Sequence, residues 1–121
     1  MTAAANTLET ADVMEVGIKV RRMDFDFGER IPDYWYHNDA LLTMFLTALS
    51  ATFPEGEKQF IQSVRNFQDQ VTDPELRKQI RAFIGQEAHH SKEHDALNGL
   101  MKRKGFPVLR IEKRMTKMAQ W

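Results

Sequence analysis

Residues 73–105 read DPELRKQIRAFIGQEAHHSKEHDALNGLMKRKG, and their spacing decides the fold. Alternating steps of four and three pick out Leu76, Ile80, Phe83, Glu87, His90, His94, Leu97 and Met101, an unbroken coiled-coil-like stripe. Asp73 is a capping residue, Pro74 suits a first helical turn, and Gly105 with Pro107 beyond it forms a stop. The spacing therefore predicts one long helix over about residues 74–104. Both ends of its stripe are apolar, yet the middle three positions are Glu, His and His. Ionisable groups in a buried seam cost several kcal/mol unless they are paired or bound to a cation. Glu87 and His90 are three residues apart, so both face one way, one turn apart. Glu-x-x-His is the unit by which dimetal helical bundles present one bridging carboxylate and one imidazole. The bland reading makes Glu87, His89, His90, Glu93 and His94 an ordinary polar helix surface. The apolar stripe runs in and out through the same positions, which favours a metal. His89 and Glu93 lie off the stripe and read as bystanders.

Upstream, residues from Pro54 to about Val71 repeat with a helical period that turns Phe60, Ile61, Val64, Phe67 and Val71 inward. The link Thr72-Asp73-Pro74 is short enough to require an antiparallel hairpin. Its register follows from the helical rise. From the turn back to Glu57 is roughly 22 Å, and forward to Glu87 and His90 roughly 20 and 24 Å. Glu57 is thus level with the Glu-His pair and shares a face with Ile61 and Val64. Glu55 is about 200° further round, where it faces solvent and complements the helix N-terminus.

Earlier still, Asn38 is the expected cap of a first helix with Leu42, Phe45, Leu46 and Leu49 on its buried side, ended by Phe53 and Pro54. A fourth helical pattern runs from near Leu109 to Trp121. Residues 1–17 form a loose arm, and residues 18–121 form one helical domain. Ile18 to Phe27 alternates apolar and charged residues, but a single strand has no partner, so an extended segment laid over the helices is expected. Tyr34, Trp35 and Tyr36 form a packing plug. The fold class is all-α, built on antiparallel long helices.

Composition narrows the function. Seventeen basic and seventeen acidic residues leave no net field to attract nucleic acid or an anionic membrane. The C-terminal cluster from Lys102 to Lys117 is interleaved with apolar residues and reads as a solvated helix face. With no cysteine there is no disulfide, thiolate zinc site, iron–sulfur cluster or thiol nucleophile. No signal-peptide pattern and no membrane-length apolar run occurs, so a cytoplasmic location is expected. Walker, dinucleotide and nucleophile-elbow patterns are absent.

Four stretches carry a resemblance: residues 18–27, residues 49–57, residues 73–77, and above all Phe83 to His94, with Gly-Gln-Glu-x-x-His-x-x-x-His followed by Asn98. From about Gly17 onward the chain resembles the bacterial family of predicted metal-dependent hydrolases, of the ferritin-like superfamily. The resemblance implies a ferritin-like bundle with Glu57, Glu87 and His90 as metal ligands and His94 as an additional one. Members of that family are longer, and their further helices supply another carboxylate and another Glu-x-x-His-like pair. The expectation is therefore the front portion of a longer bundle; the alternative is a homodimer that completes the metal site. The expected cofactor is a divalent metal, iron first with manganese or zinc as alternatives, in a mononuclear or dinuclear site. The expected activity is hydrolysis of a small-molecule substrate by metal-activated water. An oxygen-activating di-iron oxidoreductase and a non-catalytic metal-binding module are the alternatives.

Overall fold

The computed structural model describes residues 17–28 and 30–120. The expected loose arm therefore lies outside the described residues, apart from its last residue, Gly17. Four helices follow in order: α1 (Ala40–Ser50), α2 (Phe53–Gln68), α3 (Pro74–Arg103) and α4 (Val108–Ala119). No strand occurs among the described residues. The chain is an all-helical bundle, as the spacing predicts.

The boundaries follow local chemistry. Asp73 caps α3 by accepting from the Leu76 amide at 2.8 Å. At the other end Gly105, at φ +88, permits the paired bonds Gly105 N–H to Lys102 and Phe106 N–H to Met101 that close a Schellman turn. α2 and α3 form the predicted antiparallel hairpin, although α2 stops at Gln68, short of Val71. The α1 cap is Asp39, which accepts from the Leu42 amide at 2.8 Å. Asn38, the expected cap, instead takes φ 57, a left-handed conformation that asparagine tolerates.

α1 corrects the sequence reading most sharply. Its buried residues are Thr43, Thr47 and Ser50, whereas Leu42, Phe45 and Leu49 of the expected inward face are exposed; Leu46 is half-buried. The polar edge turns inward because each hydroxyl has a partner there. Thr43 accepts from the Tyr36 amide at 3.1 Å, Thr47 accepts from the Trp35 indole N–H at 3.2 Å, and Ser50 meets His94. Trp35 alone acts as the plug, packed with Leu97, Phe106 and Ile111 against the small core of Ala51, Met101 and Val108. Tyr34 and Tyr36 are exposed.

A second correction concerns the hairpin. Phe60 and Phe67, expected inside, are 58% and 63% exposed, and Leu76 at the start of the α3 stripe is exposed too. Phe53, Phe60 and Phe67 stand seven residues apart along one edge of α2. Beside that edge an open apolar groove of about 230 Å³ is lined by Ile18, Val64, Leu76, Ile80 and Phe83.

Residues 17–28 run extended over α3, as expected. Gln86 holds the Arg21 backbone from both sides, its Oε1 accepting from the amide at 2.8 Å and its Nε2 donating to the carbonyl at 3.4 Å. The His89 ring accepts from the Arg22 guanidinium, and Glu93 accepts from the amides of Asp24 and Phe25. His89 and Glu93 are off the stripe, but they are fastenings for this segment rather than bystanders. At the other end, Lys102 pairs with Glu112 at 2.8 Å and Lys104 with Asp33 at 2.7 Å, so part of the basic cluster is neutralised.

Candidate metal centre

The hairpin register brings Glu57 of α2 beside His90 and His94 of α3. The three residues present ligand atoms that all lie within 4.8 Å of one another. Glu57 Oε1 is 2.9 Å from His90 Nδ1 and 4.0 Å from His94 Nε2, and the two Nε2 atoms are 3.0 Å apart. Glu87, one turn before His90, places Oε2 3.8 Å from the same Nδ1. Glu87 thus borders the group without belonging to the tight three. All four residues singled out by the sequence stand together.

Glu55 does not join them. It lies on the other side of α2, paired with Lys58 at 3.7 Å and approached by the Thr116 hydroxyl at 3.4 Å. α4 therefore covers part of the face expected to meet solvent. Its place in the first turn of α2 still suits the helix dipole.

Burial makes the cluster chemically unusual. Glu57 is 2% exposed, and neither carboxylate oxygen has a hydrogen-bond partner among the described residues. The 2.9 Å approach of His90 is close, but it lacks hydrogen-bond alignment. Burial pushes the Glu57 carboxyl above its usual range. The nearby Ser91 hydroxyl, short of a completed bond, and His90 oppose that shift, while Glu87 and Asp95 add to it. Burial also drives the His94 ring down to about 4, with His90 contributing, so its imidazole is neutral at neutral pH. A neutral ring keeps a lone pair for a metal.

The donor set fits a cation on geometric grounds. Two ligands at about 2.0–2.1 Å from one ion, set at right to tetrahedral angles, lie about 2.9–3.4 Å apart. The Glu57–His90 separation through Nδ1 matches that edge, as does the His90–His94 separation through Nε2, while Glu57–His94 at 4.0 Å is longer. His90 shows Nδ1 to the two carboxylates and Nε2 to His94, and one ion takes one of those nitrogens. Without a cation, the 3.0 Å contact between the two Nε2 atoms needs a proton between them. Two oxygens without partners and two imidazoles at ligand spacing are what a bound divalent ion would satisfy.

Surrounding residues hold the rings in place. Phe53 stacks on His94 with centroids 4.5 Å apart and an interplanar angle of 16°, and stands 6.0 Å from His90. On the other flank the Ser50 hydroxyl is 2.8 Å from His94 Nδ1. The sequence reading left out Ser50. The available signal was the polar stripe Thr43, Thr47, Ser50, spaced four and three within an apolar run. The side open to solvent is that of His90, whose side chain is 48% exposed.

The fold and site define a helical protein with a carboxylate–imidazole cluster able to hold a metal ion. The family described as predicted metal-dependent hydrolase matches residues 19–121, and the chain belongs to it. No curated protein matches the chain, and no solved structure does. No helix among the described residues is long and apolar enough to cross a membrane.

Proposed function

We propose that the chain carries the ligand-bearing hairpin of a metal-dependent hydrolase, in a ferritin-like arrangement, with Glu57, His90 and His94 as ligands and Glu87 at the border of the site. The observation that carries this reading is the buried, unpartnered Glu57 carboxylate facing two imidazoles at ligand spacing. A bound divalent ion supplies Lewis acidity, which makes hydroxide available near neutral pH and polarises a substrate oxygen.

The remaining work falls to the chain. Glu57 contributes negative charge from a dry wall, where it is least screened. His94, held neutral by burial and clamped by Phe53, offers Nε2 without first losing a proton. His90 forms the wet edge through which a small substrate and water would enter. Glu87, partly exposed beside His90, is placed to accept a proton from an entering water.

Glu57 together with the Glu87-x-x-His90 unit is half of the pattern in dimetal bundles, which use two carboxylates and two Glu-x-x-His units. A second copy related by a two-fold axis would bring the other half, and the uncovered Phe60 and Phe67 edge beside the site suits that contact. An oxygen-activating di-iron centre is the second reading. It is favoured by the donor set itself, which is rich in carboxylate and imidazole and free of sulfur.

The first test is the metal-to-chain ratio of size-separated protein, measured by elemental analysis. Two metals per dimer, or two per chain, support an assembled site. Metal-free protein after loading with Fe(II), Mn(II) or Zn(II) would overturn the reading. Turnover with redox-inert Zn(II) selects hydrolysis, whereas dioxygen uptake with Fe(II) selects the second reading.

A further inference from the structure

Ser50 is the last residue of α1 and is 4% exposed. Its side chain and its backbone are both engaged by α3, one turn apart. The hydroxyl meets His94 Nδ1 at 2.8 Å, and the carbonyl accepts from Asn98 Nδ2 at 3.2 Å. Carbonyls in the last turn of a helix have no partner within it, so Asn98 satisfies one that would otherwise be buried unpaired. The two contacts fix the end of α1 against α3 and leave the Ser50 hydroxyl aimed at one ring nitrogen.

We infer that Ser50 is the positioning residue for His94: its hydroxyl holds the ring with Nδ1 turned away from the cluster and Nε2 turned into it. The inference rests on His94 being a metal ligand. The geometry gives the hydroxyl two roles. In the metal-free protein the Nε2 atoms of His90 and His94 stand 3.0 Å apart and share one proton. When that proton sits on His94 Nε2, the ring accepts from the Ser50 O–H at Nδ1. When Nε2 gives its lone pair to a cation, the ring proton moves to Nδ1 and is donated to Ser50 Oγ. A hydroxyl both donates and accepts, so serine serves both tautomers without moving, which a carboxylate or a lysine at this position could not do. Partners of this kind on the far nitrogen of a ligating histidine commonly govern metal affinity by tenfold or more.

The test uses the full chain loaded with Zn(II) alone. Ser50→Ala is expected to weaken Zn(II) binding about 10–100-fold in chelator competition, with Ser50→Thr recovering part of it. Nitrogen-15 spectra of the Zn(II)-bound wild type should show a His94 Nδ1 proton protected from solvent exchange. That measurement on the wild type needs no variant to fold, and a purely packing role for Ser50 would not produce it. An unprotected Nδ1 proton, or Ser50→Ala affinity within twofold of wild type, overturns the inference. His94→Ala separates the two levels. Loss of Zn(II) there beside an unaffected Ser50→Ala rejects only Ser50, whereas no effect of His94→Ala rejects the ligand assignment itself.

Discussion

Replacing Glu57 with leucine should stabilise the metal-free protein while abolishing its response to metal. The side chain is 2% exposed and neither oxygen has a hydrogen-bond partner among the described residues, so the metal-free fold carries a poorly compensated buried acid. Exchanging buried charges for apolar groups of similar size is neutral to stabilising, by about 1–4 kcal/mol. At this chain size each kcal/mol moves the midpoint by about 4 °C, so a rise of about 4–16 °C is expected for the metal-free variant. Wild type should recover the difference with metal, because Zn(II) at one hundred times its dissociation constant adds about 2.7 kcal/mol. Thermal melts with and without Zn(II) would therefore cross over. The sign with pH is set by the upward shift of Glu57: the folded state holds this proton more tightly than the unfolded chain does. The stability Glu57 contributes by binding a proton is present in acid and lost as pH rises through its folded value. The gap between variant and wild type should consequently widen as pH rises above about 4.5. A metal-free Glu57→Leu protein less stable than wild type by 1 kcal/mol or more would refute the argument, because the carboxylate would then be a structural partner. So would a variant that keeps the full Zn(II)-induced rise.

Other outcomes follow from the same geometry. His94 titrates at about 4 in the fold against about 6.5 unfolded, so its contribution is full above pH 6.5 and erodes as pH falls towards 4. The loss is on the order of 3 kcal/mol at most, and acid unfolding of His94→Leu should lack that segment. His90→Ala should remove metal binding, whereas His89→Ala should leave it nearly intact and loosen residues 17–28; titration of both variants with Fe(II) checks this. Phe60→Asp with Phe67→Asp should give a monomer by light scattering and reduce metal retention by at least half. A wild type that is monomeric with full metal would count against the two-fold pairing.

The hairpin was legible because its evidence is metrical. A helix rises by a fixed amount per residue, so the short link from Gln68 to Pro74 fixes which residues of α2 and α3 stand level. That is why the sequence alone matches Glu57 to His90. α1 was illegible for a different reason. Its leucines and Phe45 form a genuine apolar stripe, but periodicity says which face avoids water, not which neighbour covers it. The partners that decided its orientation, Tyr36, Trp35 and His94, are contacts whose sequence separations carry no periodic signal. Phe60 and Phe67 were misread on the same ground. Ser50 was overlooked because a serine in an apolar run reads as a weak interruption, while its meaning depends on the ring opposite.

α3 carries two ladders with the same rungs. Gln86, His89 and Glu93 grip the extended segment 17–28, and Glu87, His90 and His94 face α2, each set spaced three then four and offset by one residue. One step along the helix is about 100° of rotation, so the segment that clasps Gln86 and Glu93 works as an angular key for the whole rod. Turn the rod by a single residue and a glutamine arrives where Glu87 stands. The segment touches none of the four cluster residues through any described hydrogen bond or ion pair, yet it helps set which of two near-identical faces meets the metal.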